Sequence, residues 1–547
     1  MTPVQDVSRR ATLLALAAIA IASFGVRLWL LHAAIADAPF SPGDPDGYFR
    51  NGRLLAQNGE GWRWTLDAVR YPWDGRPYLL PPLYTVFLSL FVLAFDPADY
   101  WAAVGQIALN AASSAALFAI AAALHSRRAG LIAAFIFAFW LPNIWMYAQF
   151  MQEQLYIPLL LIAFALLVRA TATPASPAAF AGAGVAFGCA ALTRSMPMYF
   201  VVLAASGYAV ALRDRASVKR AAALLGGFLL VTGLYSLWLS PQVGQFVYIE
   251  NHAGISIHSY GGTRPSGVPA HQDIVSQLTE AFLESPSEFA GLWWGYARAL
   301  FHVHGDRWLH FYRADSPEGA VTAKITAHLG IDLPFILSVV LAPLGVVLAR
   351  RRREAILLAG WIVLVVTLTA LSATGGVRYR SPFEPQLIAL ASVVLAGGWR
   401  APGRIPGVVA LLVTLAAASI VVAQLPRVVR ARANYGLVES SDADGATHVS
   451  IVGRIGLNML PKDGILEMQL SAADPDVMPQ PAHVSFWVDG RHVADRALQD
   501  EPLRMRFVGR HLGVHYVELH AVDAAGRPAR VSIDLISTSV GSYGSAP

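Results

Sequence analysis

Two aspartates lie close together in a segment rich in proline and glycine. Asp44 and Asp46 belong to the sequence SPGDPDGY, residues 41–48, which directly follows the first apolar run. Carboxylates at a membrane surface are costly unless they are exposed or used, and such a pair could act as a general base or bind a metal ion. Asp-Pro and Asp-Gly are also ordinary turn dipeptides. By itself the segment predicts either an acid–base site or a solvated turn.

A third acidic residue, Glu153, stands at the start of another apolar run, in the sequence QFMQEQLY of residues 149–156. A negative charge at a helix N-terminus is favourable without any further role. The functional alternative is a second acidic group that faces the first loop.

Three arginines occur where cations are unexpected. Arg194 interrupts an apolar hairpin, and Arg378 and Arg380 crowd the short sequence GGVRYRSP of residues 375–382. An intramembrane or interfacial arginine is a functional candidate, although snorkelling at the membrane boundary also explains one. The pair at 378 and 380 predicts an anionic partner, either a polyprenyl phosphate or anionic bilayer lipid.

No cofactor is predicted. His302, His304 and Asp306 have no strong zinc-site spacing, so the sequence does not indicate a divalent metal. A phosphate-binding glycine loop is absent from the sequence, which disfavours an ATP-driven pump. With Cys189 as the single cysteine, no internal disulfide can form.

The elements that must position these residues are membrane helices. The chain is 55% hydrophobic and only 14% charged, whereas about a quarter of the residues in soluble domains are charged. Apolar runs long enough to span a bilayer predict about eleven crossings. They lie near 11–31, 100–124, 129–148, 153–169, 178–193, 196–212, 220–240, 331–349, 355–372, 382–398 and 405–424. The first run is too long for the core of a signal peptide.

Clusters of arginine between these runs fall on one side if the runs simply alternate, and that side is cytoplasmic. The chain is therefore expected in an inner (plasma) membrane, with a cytoplasmic N-terminus and a periplasmic or extracellular C-terminus. Two large outer loops result, 32–99 and 241–330. A crossing by the further apolar run 79–95 would reverse every later loop, so this run is interpreted as re-entrant or interfacial.

The predicted domains are a membrane domain over 1–430 and an outer domain over 431–547. Residues 447–540 alternate apolar and polar side chains in short runs separated by turn signals. This pattern indicates an all-β sandwich of immunoglobulin-like outline.

Five sequence elements together resemble the GT-C superfamily of polyprenyl-phosphate-sugar-dependent glycosyltransferases, particularly bacterial relatives of protein O-mannosyltransferases and lipid A aminoarabinose transferases. The resemblance covers about residues 10–400. The elements are an acid four residues before a tyrosine (Asp44 and Tyr48), a PPLY sequence (Pro81, Pro82, Leu83, Tyr84), Glu153 in QEQLY, Leu192-Thr193-Arg194, and RYxxPxxP over 378–385. Two departures matter: Pro45 separates the two acids, and Leu80 stands where many relatives have lysine.

The resemblance implies a GT-C fold and transfer of a sugar from a polyprenyl phosphate to an acceptor hydroxyl of a lipid, glycan or protein on the outer face. Asp44 is favoured as the general base, with Asp46 as the competitor and Glu153 as an orienting acid. The donor phosphate is expected at Arg378, Tyr379, Arg380, Arg194 and Arg76. Further substrate contacts are expected at Tyr48, Pro81, Pro82 and Tyr84.

Two other functions stay open. A lipid transporter or flippase would be expected to have an internal repeat and ionisable residues at the bilayer midplane, whereas the charges here sit at the outer ends of the runs. A membrane scaffold without catalysis would use the β domain to bind a partner. The sequence does not specify the sugar or the acceptor.

Overall fold

A computed structural model describes most of the predicted helices and strands. The described residues are 8–36, 47–58, 81–140, 142, 144, 149–172, 176–212, 214–244, 246–249, 279, 282–303, 313–314, 317–371, 377–397, 404–423, 434–441, 447–459, 465–472, 483–488, 491–497, 503–508, 515–523 and 525–535. The chain divides into two compact units. One comprises Met1–His302 with Phe335–Ile420, and the other Val303–Pro334 with Val421–Pro547. The predicted domain boundary at residue 430 stays a prediction.

The described part of the first unit is helical. Its helices span Arg9–Ala36, Tyr48–Asn58, Leu83–Ala94, Ala98–Leu124, Arg127–Ala138, Glu153–Ala172, Pro177–Ala191, Pro197–Leu212, Arg215–Val243, Pro286–Leu300, Arg352–Leu371, Val377–Arg380 and Glu384–Leu395. Two further helices, Leu333–Leu348 and Arg404–Val422, lie mostly in this unit.

Six helices within the described ranges are long and apolar enough to cross a membrane. They are Arg9–His32, Ala98–Leu124, Glu153–Thr171, Arg215–Gln242, Gly319–Leu348 and Arg352–Leu371. The predicted class, a polytopic helical membrane protein, is confirmed. The count of about eleven crossings stays a prediction, since several other apolar helices are shorter than 18 residues.

Several of the described helices are too short to cross a hydrocarbon core of about 30 Å, and two of them bear on the predicted apolar runs. Leu83–Ala94 has 12 residues, about 18 Å at 1.5 Å per residue, which agrees with a re-entrant or interfacial segment. Arg127–Ala138 also has 12 residues, although the apolar run was expected to continue to residue 148. Pro142 gives the physical reason, because it lacks the N–H that would bond to the Ala138 carbonyl in a continued helix.

An aromatic cluster fills the core of the first unit. The Phe164 ring packs against those of Phe187, Phe200 and Trp361, with centroids 5.1–5.6 Å apart. The Trp361 indole N–H donates to the Pro382 carbonyl at 2.8 Å. This contact ties the helix Arg352–Leu371 to the segment that carries the late arginines.

Small residues allow two helices to approach closely. A Cβ at Gly184 would clash with the Leu224 backbone, and one at Gly227 would clash with the Ala181 backbone. Helices in membranes often associate through such small-residue contacts. The hairpin that leads to Arg194 is therefore held firmly against the helix Arg215–Val243.

The second unit contains short helical segments and a β-sheet. Its first helical segments are the helix Pro317–Ala327 and the π-helical turn His328–Asp332, which directly precedes the helix Leu333–Leu348. Its strands are Arg313–Ala314 (β1), Asn434–Ser441 (β2), Thr447–Met459 (β3), Ile465–Ala472 (β4), His483–Val488 (β5), Arg491–Ala497 (β6), Leu503–Val508 (β7), His515–Val522 (β8) and Arg530–Leu535 (β9).

The strands from β2 onwards pair antiparallel, in the order β6-β5-β8-β3-β9-β4-β7 with β2 also on β3, and β1 pairs parallel with β2. In β5, Val484 and Phe486 are buried on one face, as the alternation in sequence predicts. An antiparallel β segment at the C-terminus is thus confirmed. The immunoglobulin-like outline stays a prediction.

Candidate functional site

Tyr48 connects the first sequence element to the second acidic segment. Its hydroxyl donates to the Gln152 side-chain oxygen at 2.9 Å, although 104 residues separate the two. The Tyr48 side chain is 2% exposed and meets the Tyr84 ring edge-on at 5.2 Å between centroids. The residues that follow the Asp44 segment are therefore anchored beside the PPLY tyrosine and the start of the helix Glu153–Ala172.

Glu153 and Arg194 form an ion pair. The distance between Glu153 Oε1 and Arg194 Nη1 is 2.8 Å, the Glu153 side chain has no exposed surface, and that of Arg194 is 12% exposed. An ion pair in so poorly hydrated a place is held by strong, charge-assisted hydrogen bonding. Glu153 is the first residue of its helix, as the simpler interpretation of the sequence expects, and the ion pair with Arg194 is an additional contact that the sequence did not predict.

The arginine of this pair also contacts the RYxxPxxP element. The Arg194 guanidinium carbon lies 5.4 Å from the centre of the Tyr379 ring, within the range of a cation–π interaction. In the same LTR turn, the Leu192 carbonyl accepts a hydrogen bond from the Leu83 N–H at 2.9 Å. The LTR turn is thus bound to PPLY and packed on RYxxPxxP.

A buried polar network supports the same region from the helix Ala98–Leu124. The Tyr84 hydroxyl donates to the side-chain oxygen of Gln106. One turn further, the Asn110 amide donates to the Gln106 carbonyl at 3.0 Å and to the Gln154 side-chain oxygen at 2.8 Å. Buried polar groups need such partners, and the network fixes PPLY relative to the residue after Glu153.

Arg380 occupies a different environment from Arg194. It has no exposed surface, its Nε lies 2.5 Å from Glu384 Oε1, and its Nη1 donates to the His302 carbonyl at 2.8 Å. Its guanidinium carbon also lies 3.8 Å from the centre of the Phe335 ring. These contacts hold the Arg380 side chain in the interior of the first unit.

The structure brings described residues of all five sequence elements into contact through side chains or backbone, the first element through Tyr48. Pro81 is buried and Pro82 half-buried at the start of their helix. Asp44, Asp46 and Arg76 lie outside the described residues, as do His304 and Asp306. Arg378 lies in the short helix Val377–Arg380, next to Tyr379, and its side chain is outside the description.

Several residues of the site were missed at the sequence level. Gln106 and Asn110 were counted only as members of an apolar run, although two amides four residues apart on one helix face are a signal for a polar contact. Gln152, Gln154 and Glu384 were part of the quoted elements without an assigned role. Glu384 follows Arg380 by four residues, the spacing of an ion pair on a helix.

The Arg194 side chain can bind an anion. Arg194 retains partial exposure and multiple N–H donors, so it can bind an additional anion while it holds Glu153. The Glu153 carboxylate, fixed by this contact, can orient neighbouring groups but carries no exposed surface for a solvent-borne substrate. Tyr48, Tyr84 and their amide partners hold the surrounding segments rather than present open hydroxyls.

Comparison with known proteins gives one family. Residues 80–239 match the family model of dolichyl-phosphate-mannose-protein mannosyltransferases. The matched segment contains PPLY, Glu153 and the LTR turn. A comparison with curated proteins gives no match.

A comparison with solved structures gives distant matches, two of which follow. The oligosaccharyltransferase of Archaeoglobus fulgidus in the apo form is 15% identical over 75% of this chain and 55% of that chain, with a TM-score of 0.46. ArnT from Cupriavidus metallidurans bound to undecaprenyl phosphate is 13% identical over 71% of this chain and 60% of that chain, with a TM-score of 0.42. The chain therefore spans less than two thirds of each.

The family match contains three of the five sequence elements, in the same order along the chain and in contact with one another in the structure. It agrees with the resemblance to relatives of protein O-mannosyltransferases that the sequence elements indicate.

Proposed function

We propose that this protein is a membrane glycosyltransferase that moves a sugar from a polyprenyl-phosphate donor to an acceptor hydroxyl on the outer face of the membrane. The observation that carries the proposal is the Glu153 to Arg194 ion pair with Tyr379 packed on the arginine. This contact joins the second acidic segment, the LTR turn and the RYxxPxxP element. The family match over residues 80–239 supports it.

The donor phosphate would bind on the exposed side of Arg194, near Tyr379. Arg194 is 12% exposed, and a guanidinium can donate to a phosphate while it keeps its carboxylate partner. Arg378, the residue before Tyr379, is proposed as the principal phosphate ligand, with Arg76 as a further cation. Arg380 is better explained as a structural residue, since Glu384 and His302 engage it.

Asp44 is proposed as the general base. It lies four positions before Tyr48, which limits the distance between their Cα atoms to about 14 Å. Because Tyr48 is anchored on Gln152, this limit allows the carboxylate to reach the region around Glu153. Tyr48 and Tyr84 would act by holding their segments, since both are buried.

The reaction balances without a metal ion. The acceptor oxygen attacks the anomeric carbon as its proton passes to Asp44. The bond between that carbon and the phosphate oxygen breaks, and the electron pair leaves with polyprenyl phosphate. The arginines stabilise the developing negative charge by charge-assisted hydrogen bonds in a poorly hydrated site. Attack opposite to the leaving group predicts inversion at the anomeric carbon.

The test uses radiolabelled polyprenyl-phosphate sugars and inner membranes that contain either the wild-type protein or Asp44→Asn. The proposal expects wild-type membranes to convert label into a glycosylated acceptor and to release polyprenyl phosphate, and expects Asp44→Asn to lose this conversion. A flippase would move intact donor between leaflets without releasing polyprenyl phosphate. A scaffold would do neither, and each of these two outcomes would overturn the proposal.

A further inference from the structure

The first helix, Arg9–Ala36, has an exposed apolar face and one fully buried cation. Ile21 is 71% exposed and Trp29 is 68% exposed, whereas Arg27 has no exposed surface. A guanidinium stays charged under ordinary conditions, and burial of a charge is costly unless partners compensate for it. An arginine at this depth in a spanning helix therefore requires a specific partner.

That partner is the backbone at the end of another helix. Arg27 Nη1 donates to the Ala138 carbonyl at 2.7 Å and to the Ser23 carbonyl at 3.3 Å. Ser23 accepts a further bond from Nη1 with its hydroxyl and donates that hydroxyl to the Ala138 carbonyl at 3.1 Å. Arg27 pairs with no carboxylate of the described part of the chain, so the Ala138 carbonyl is its principal contact outside its own helix.

Ala138 is the last residue of the helix Arg127–Ala138. The final carbonyls of a helix have no partner within the helix, and in hydrocarbon such groups must be satisfied by protein. The same end carries the negative end of the helix dipole, where a cation is favourable. Arg27 and Ser23 thus form a cap for a helix that stops inside the membrane domain.

The first helix also contacts the chain beyond this break. Leu31, one turn after Arg27, belongs to one buried cluster with Ile144. A few residues later Phe150 stacks on Phe49, with ring centroids 4.5 Å apart. The first helix therefore contacts this part of the chain at Ala138 through Arg27 and at Ile144 through Leu31.

We propose that Arg27 is a positioning residue that caps the helix Arg127–Ala138 and thereby sets the position of the described residues between this helix and Glu153, Ile144 and Phe150 among them. Its effect on catalysis rests on the proposed function, whereas its effect on the order of the segment does not. The guanidinium acts through the backbone of the broken helix and not through a contact with the donor.

Hydrogen–deuterium exchange of the purified full-length protein in detergent tests the structural claim. In Arg27→Met, which keeps the length of the side chain without its charge or donors, peptides from residues 139–152 should exchange at least about tenfold faster. Peptides from residues 98–124 should keep their wild-type rates, as should all peptides of the control Val26→Met, whose side chain is exposed. Unchanged exchange over 139–152 would overturn the proposal.

If Arg27→Met does not fold, Arg27→Lys and Ser23→Ala replace it. Lysine keeps the charge with a single donor centre, and alanine removes only the serine hydroxyl, so each should accelerate exchange over 139–152 by a smaller factor. Wild-type exchange in both variants would overturn the proposal.

Kinetics then separate positioning from donor binding. We expect Arg27→Met or Arg27→Lys to lower kcat by about tenfold with an unchanged KM for the donor. A raised donor KM with unchanged kcat would instead make Arg27 a donor ligand and overturn the positioning role. If the wild type transfers no sugar, the proposed function fails, while the exchange experiment still decides the role of Arg27.

Discussion

The Arg194 guanidinium contacts one acidic residue and one aromatic residue from distant parts of the chain. Its Nη1 lies 2.8 Å from Glu153 Oε1, and its central carbon lies 5.4 Å from the centre of the Tyr379 ring. One cation therefore joins the start of the helix Glu153–Ala172 to the RYxxPxxP element. The site depends on this junction.

Breaking the junction should destabilise the protein. Glu153→Gln leaves Arg194 without its carboxylate in a poorly hydrated place, which we expect to cost about 3 kcal/mol. Arg194→Met should cost a similar amount, and the double variant should cost less than the sum of both. Thermal unfolding of the purified protein in detergent measures this coupling, with Arg350→Gln, an exposed loop cation, as the control. Strictly additive losses would show that the two residues act independently.

Removal of one hydroxyl tests the anchoring of the first loop. Tyr48→Phe deletes the donor to Gln152, a half-buried residue, at a cost of about 1 kcal/mol. Because the Asp44 segment precedes Tyr48 directly, kcat should fall more than the donor KM rises. Tyr100→Phe is the matched control, since that hydroxyl meets His32 at an exposed position. Equal kinetics for the two variants would separate Tyr48 from the site.

Arg380 should behave as a structural residue. Arg380→Met leaves the buried Glu384 carboxylate without its cation, and we expect a loss of about 3–5 kcal/mol in stability. The double variant Arg380→Met with Glu384→Gln should recover part of that loss and bind polyprenyl phosphate like the wild type. A folded double variant that no longer binds polyprenyl phosphate would restore Arg380 to the donor site.

The β-sheet unit should carry an acid-sensitive turn at Asp523. Its carboxylate accepts from the backbone N–H groups of Arg527 at 2.8 Å and Ala525 at 2.9 Å, and from Arg527 Nε at 2.9 Å. The backbone hydrogen bond from Arg527 contributes most to a lowered pKa of Asp523. The bonds therefore stabilise the fold above the unfolded pKa of about 3.9, and this stabilisation is lost as the pH falls through the lower, folded pKa.

Melting curves of the wild type and Asp523→Asn between pH 6 and pH 3 check this expectation. At pH 6 the wild type should melt at a higher temperature than Asp523→Asn. The difference between the two melting temperatures should shrink as the pH falls below about 4. A difference that does not change with pH would mean that the charge of Asp523 contributes nothing.

The sequence predicted the helices of the membrane domain well, because long apolar runs have few alternatives in a chain with so little charge. The apolar run near 129–148 contains a helix end at Ala138, which the hydropathy of the run did not predict. Arg27, Gln106 and Asn110 escaped notice because averaging hydropathy over a long window conceals single polar residues. A search for polar residues spaced four apart within apolar runs would have found the amide pair.

The order of the sequence elements predicted which segments meet, but not how each side chain is used. The sequence spacing alone does not tell which of Arg378 and Arg380 would bind a phosphate. The structure shows that Arg380 has no exposed surface and pairs with Glu384, whereas the Arg378 side chain lies outside the described residues. Such roles depend on tertiary contacts that no local pattern contains.

The most direct test of the central claim compares turnover by purified wild-type protein, Asp44→Asn and Asp46→Asn at saturating donor. If Asp44 removes the acceptor proton, Asp44→Asn should lose about 10²–10⁴ in kcat with little change in donor binding, while Asp46→Asn retains most of the wild-type rate. Full transferase activity in Asp44→Asn would contradict the account.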